Sequence, residues 1–108
     1  MVEIFDRMRF EGPIGMDGAQ LPSASGIYIV GTLSSGAIKM LGIYQADDMN
    51  RSFRENDKKD CWQKNMDRGL NLYYFEVQDP KDRERTCRKM IMDRWYPVEC
   101  VDRIQDDF

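Results

Sequence analysis

The run Ile27-Tyr28-Ile29-Val30 is the strongest structural instruction in the chain. It is β-branched and aromatic throughout, it follows Ser25-Gly26, and it suits an extended strand. Ser34-Ser35-Gly36 then reads as a tight turn, and Ile38 to Tyr44 as a second strand, so the pair predicts an antiparallel hairpin. A third strand is expected over Asn71 to Val77. Its period of two puts Tyr73 and Phe75 on one face and Leu72, Tyr74 and Glu76 on the other.

Two helices fit between and after these strands. Asp47 or Asp48 caps the first, which carries Met49 and Phe53 at i and i+4 and ends near Asn56. Asp79-Pro80 opens the second, with Asp as N-cap and Pro at the first helical position. This helix is expected to reach about Trp95, where Pro97 stops it. Its apolar stripe is Cys87, Ile91 and Trp95, with Met90 beside it. Residues 57–69 are highly charged and read as a linker. Residues 1–22, dense in turn formers (Gly12-Pro13, Gly15, Asp17-Gly18, Pro22), read as an N-terminal extension packed on a domain of residues 23–108. The sum is an α+β layer fold: a three-stranded, mostly antiparallel sheet with flanking helices in the order β-β-α-β-α.

Charge narrows the function. The net charge is -3 and the pI about 4.9, which disfavours a dedicated nucleic-acid binder, because phosphate contacts need clustered Lys and Arg. Lys81, Arg83, Arg85, Arg88, Lys89 and Arg94 are basic but interleaved with Asp82, Glu84 and Asp93, the pattern of a solvated helix face. Cys61, Cys87 and Cys100 are odd in number and widely spaced, and the first ten residues lack the apolar run of a signal peptide. Free thiols in a cytoplasmic protein are the expectation. No segment is apolar enough for a membrane helix. The absence of His argues against a zinc site. Eight Met residues suit core filling, and Met also lines adaptable binding surfaces.

The order of these elements, with the words inside it, resembles the GIY-YIG nuclease domain over residues 24–101. Gly26-Ile27-Tyr28 matches the first signature triplet. Gly42-Ile43-Tyr44 stands where the second, Tyr-Ile-Gly, would end the next strand. Gln45-Ala46-Asp47-Asp48-Met49 resembles the family's entry to its first helix, Cys61-Trp62 a pair found in some small bacterial members, and Arg85 to Cys100 the closing helix and Pro-Cys segment. The resemblance implies a DNA-cleaving scaffold. In it, Tyr side chains position a water, an Arg steadies the scissile phosphate, and a Glu holds one divalent metal, usually magnesium.

The departures are as informative as the matches. Tyr28 keeps the first tyrosine. The second falls on Gly42, the arginine on Ser52, and the metal-holding glutamate on Arg88, a reversal of charge where a cation should bind. These four positions are expected to converge as a vestigial site on one face of the sheet. No cofactor is implied unless a divergent site survives. Such a site would use Tyr28 and Glu84, with Arg51 or Arg54 in place of the missing arginine, and would need magnesium. Glu84 falls on the apolar stripe by helix phase, and an ion pair with Arg88 at i+4 is its readier partner. Trp62, among charges, is the candidate surface anchor. The reading is therefore a binding or structural module that meets a protein, or another copy of itself. The alternative is a metal-dependent DNA endonuclease.

Overall fold

A computed structural model describes residues 2–3, 9–14, 21–34, 37–66, 69–92 and 100. Eight elements follow in order: β1 (Val2–Glu3), β2 (Arg9–Ile14), β3 (Gly26–Ser34), β4 (Ala37–Ala46), α1 (Met49–Arg54), α2 (Lys59–Asn65), β5 (Asn71–Glu76) and α3 (Pro80–Met92). The sheet is antiparallel in the order β1-β2-β5-β3-β4, four strands of substance with the two-residue β1 at one edge.

The hairpin forms as its sequence requires. Tyr28 pairs with Tyr44 and Val30 with Gly42, and the register shifts after Val30 so that Gly31 pairs with Met40. On its other side β3 pairs with β5, Tyr28 opposite Tyr74 and Ile29 opposite Tyr73. Both helix starts behave as their caps dictate. The Asp48 carboxylate accepts from the Arg51 backbone N–H at 3.1 Å, and the Asp79 carboxylate from that of Lys81 at 2.9 Å.

Two expectations are corrected. The sheet is wider than three strands, because residues 9–14 of the presumed extension form β2, antiparallel to β5. Gly12-Pro13 lies inside this strand and not in a loop. It sits where the pairing is irregular between Glu11 and Ile14, with Gly12 at φ +133, and a strand accommodates Gly and Pro at such a break. The charged stretch 57–69 is also more than a linker, since it contains α2. That helix exposes Lys59, Asp60, Gln63 and Lys64 and buries Trp62. The turn at Ser35-Gly36, the loop at Gly15 to Gly18, Trp95 and the stop at Pro97 lie outside the described residues.

Strand alternation divides the core into two layers. One face carries Ile27, Ile29, Ile43, Tyr73 and Phe10, covered by Cys87 and Met90 of α3. The other carries Tyr28, Val30, Leu41 and Leu72, covered by Met49 and Phe53 of α1, Trp62 of α2, Leu21 and Cys100. Three of the eight Met residues, Met40, Met49 and Met90, are buried in these layers, while Met66 is exposed.

Helix α3 is anchored by a charge. Arg83 stands one turn before Cys87 on the inward stripe. It donates from Nη2 to Asp47 Oδ1 at 2.5 Å and from Nη1 to the Val77 carbonyl at 3.5 Å. The Arg83 side chain is 7% exposed and that of Asp47 87%. Removing only the carboxylate leaves a buried guanidinium without its counter-charge. A fully buried pair broken this way costs ~3–5 kcal/mol, and the wet carboxylate here brings the expected loss for Asp47→Ala to about 2 kcal/mol. Arg83→Met removes the charge along with the need for a partner and fills the stripe, so it should be nearly neutral. Urea denaturation of the two variants checks the order; equal losses would contradict it.

Candidate functional site

The face that carries α1 and α2 holds a row of three tyrosines, Tyr44, Tyr28 and Tyr74, set side by side by the register of β4, β3 and β5. The rings of Tyr28 and Tyr44 lie 5.3 Å apart. The Tyr28 hydroxyl is 2.9 Å from the Ser52 hydroxyl and accepts from the Asn56 amide at 2.9 Å. The Asn56 side-chain oxygen in turn accepts the Lys58 backbone N–H at 2.8 Å. Tyr28 is buried, and that burial pushes its hydroxyl above the ordinary tyrosine range, with the Ser52 and Asn56 bonds opposing the shift.

Tyr44 forms the second half of the site. Its hydroxyl donates to the Cys100 carbonyl and accepts from Trp62 Nε1 at 2.9 Å. Trp62 stacks on Phe53 with ring centres 5.7 Å apart. Above these groups opens a cleft of about 400 Å³, lined by Tyr44, Ser52, Glu55, Asn56, Asp57 and Lys58. Glu55 and Asp57 bring carboxylates to this lining and Lys58 an ammonium, with Arg51 held to Glu55 at 3.2 Å.

The structure gathers some of the expected site residues and separates others. Tyr28 and Ser52 touch, and Gly42 lies on the same face, opposite Val30. Arg88 does not join them. It belongs to α3, whose inward residues pack on the Ile27–Ile29–Ile43 layer, so the sheet lies between it and Tyr28. The expected convergence is thus corrected: alternation along β3 assigns Tyr28 and Ile29 to opposite faces, and α3 takes the Ile29 side.

Glu84 is on α3 as well. It is exposed and bound to Arg88 Nη2 at 3.0 Å, the ion pair anticipated at i+4. Its expected place on the apolar stripe is corrected, because Cys87 and Met90 set the helix phase and turn Arg83 inward instead. Arg51 and Arg54 are exposed on α1. Arg51 holds Glu55 at 3.2 Å, and Arg54 Nε holds the Asn50 side-chain oxygen at 2.8 Å. Trp62 is not a surface anchor. It is 1% exposed, since a lone aromatic among charges on a short helix is the residue that faces the sheet.

The cysteines are also corrected. The Cys61 and Cys100 sulfurs are bonded at 2.08 Å, and Cys87 alone among the three is free. Cys87 is buried under α3, and that burial pushes its thiol up to about 12.

Sequence reasoning missed Tyr44, Asn56 and Arg83. Tyr44 was recoverable: it stands two residues after Gly42 on the same strand face. Asn56 lies just past the end of α1, where nothing local marks it. Among the described residues, no group of three or more His, Cys, Asp or Glu is placed to hold a metal ion, and no helix is long and apolar enough to cross a membrane. No known protein family, no curated protein and no solved structure matches this chain significantly.

Proposed function

We propose that this chain is a GIY-YIG-like domain without nuclease chemistry, acting as a binding module whose partner is a protein. The observation that carries the reading is the state of Tyr28. Its buried hydroxyl is engaged by Ser52 and Asn56, which line a cleft together with Glu55 and Asp57. A tyrosine that activates water must give up its proton readily, and burial here works against that. A phosphodiester approaching the cleft meets Asp57, Lys58 and a Glu55 paired to Arg51, a near-balanced lining where cleavage needs cations gathered around the phosphate. The resemblance rests on the hairpin and α1; the match of Arg88 to the metal-holding position is not retained. A protein segment offering N–H donors or basic side chains suits the rim. The free-thiol argument for the cytoplasm is withdrawn by the Cys61–Cys100 disulfide, a bond that belongs more often to an oxidising compartment.

The test is cleavage and binding in parallel. Plasmid and branched DNA with magnesium or manganese should remain uncut at stoichiometric protein, and labelled duplex should show no anisotropy change near physiological salt. A photo-crosslinking residue at position 58 should capture a protein partner, and Glu55→Lys with Asp57→Lys should abolish the capture. Cleavage that is lost in Tyr28→Phe or Glu84→Gln, but not in a mock purification, would replace this reading with the endonuclease.

A further inference from the structure

Cys100 is tied to the Tyr44 half of the cleft by more than its sulfur. Its backbone N–H donates to the Leu41 carbonyl at 2.7 Å, and its carbonyl accepts the Tyr44 hydroxyl. The same Tyr44 hydroxyl receives the Trp62 indole N–H, one residue from Cys61. The disulfide therefore closes a ring of contacts through α2, residue 100 and Tyr44, which itself lines the cleft.

Two features suit the bond to exchange. Cys61 is half-buried on a short helix, whereas Cys100 is 2% exposed, so an incoming thiolate reaches Cys61 more readily than Cys100. The Asn65 side-chain amide lies 3.6 Å from the Cys61 sulfur and 3.9 Å from that of Cys100. An N–H donor there steadies whichever sulfur leaves as a thiolate.

We propose that the Cys61–Cys100 disulfide is a redox-responsive latch that fixes Tyr44 at the cleft and releases it on reduction by a low-potential dithiol. One thiolate of the dithiol attacks the Cys61 sulfur, the S–S bond breaks, and Cys100 leaves as a thiolate that takes up a proton. The second thiolate of the dithiol then attacks the mixed disulfide and expels Cys61, which is protonated in turn. Two electrons pass to the protein, the dithiol's two protons end on Cys61 and Cys100, and the dithiol becomes a disulfide. Residue 100 then keeps its backbone hydrogen bonds to Leu41 and Tyr44 and its packing in the core layer but loses its covalent tie to α2, and the Tyr44 O–H can rotate from the Cys100 carbonyl toward the cleft. Cys87, under α3 on the opposite face, takes no part. The latch does not depend on what the cleft binds.

The full chain, purified without reductant, is the sample, and dithiothreitol is the dithiol. Alkylation under denaturing conditions with intact mass should count one thiol before reduction and three after it. Hydrogen exchange of the Trp62 indole N–H, assigned by its contacts to Phe53 and Tyr44, should become at least tenfold faster after reduction, while the Ile29 amide in the central strand keeps its protection. Three results overturn the proposal: three thiols before any reductant, an indole rate that rises less than tenfold on full reduction, or loss of Ile29 protection as well. The last would make the bond a plain structural staple.

Discussion

Gly42→Tyr, which would restore the second tyrosine of the family signature, is expected to destabilise the protein by about 4 kcal/mol or more. A Cβ at position 42 would fall onto the ring and hydroxyl of Tyr44, far inside contact distance. That ring cannot simply swing aside. It packs on Tyr28 and Trp62, and its hydroxyl is held between Trp62 Nε1 and the Cys100 carbonyl. Overpacking alone costs ~1–3 kcal/mol. Displacing Tyr44 also leaves the indole N–H and the carbonyl unmatched, at roughly 1–3 kcal/mol each where they stay buried. At about 4–8 °C per kcal/mol for a domain near this size, the melting temperature should fall by on the order of 20 °C. Gly42→Ala should lose less, about 1–3 kcal/mol. Gly42→Tyr combined with Tyr44→Gly should recover part of the loss, because it moves one phenol by two residues along the same face. Thermal unfolding followed by circular dichroism checks the series. A Gly42→Tyr variant that melts within a few degrees of the parent would show that Tyr44 does not occupy this space.

This glycine also shows where reading the sequence succeeded and where it stopped. The hairpin was legible because β3 and β4 carry dense β-branched and aromatic runs, and β5 because its alternation is clean: Tyr73 and Phe75 face one layer, Leu72 and Tyr74 the other. The helix starts at Asp48 and Asp79 were legible because a cap is a local event, decided by one side chain and a nearby N–H. β2 was not legible. Gly12-Pro13 reads locally as a turn, and only pairing with β5, some sixty residues further along, makes it a strand. The disulfide was hidden for the same reason, since its cysteines are 39 residues apart and their meeting depends on how α2 and residue 100 pack on one sheet face.

The site divides along the same line. Tyr28 and Ser52 were marked by their place in a linear motif, and the fold brings them into contact. Arg88 was placed by the same motif, but which face of the sheet α3 covers is a tertiary fact. Arg83 was passed over as one cation in a solvated row. Helix phase, set by Cys87 and Met90, decides that it is the buried one.

Trp62→Ala is expected to cost about 3–5 kcal/mol, the range for truncating a large aromatic in a packed core. Trp62 is the largest fully buried side chain described. It stacks on Phe53 with planes only 6° apart and lies 5.9 Å from the Tyr44 ring. Alanine removes that contact area, opens a cavity between α2 and the sheet, and removes the indole N–H that donates to the Tyr44 hydroxyl. Trp62→Phe separates these contributions. It retains an aromatic surface against Phe53 and loses the N–H, so its loss should be nearer the ~0.5–1.5 kcal/mol of one hydrogen bond plus a modest packing term. A surface anchor would behave in the opposite way. Its truncation should change stability by no more than ~0.5 kcal/mol and should instead weaken partner binding. Urea denaturation distinguishes the two, provided the dependence of stability on denaturant is unchanged, so that a shift in midpoint reads as a shift in stability. A midpoint for Trp62→Ala that coincides with the parent's would return Trp62 to the surface and remove the support under Tyr44.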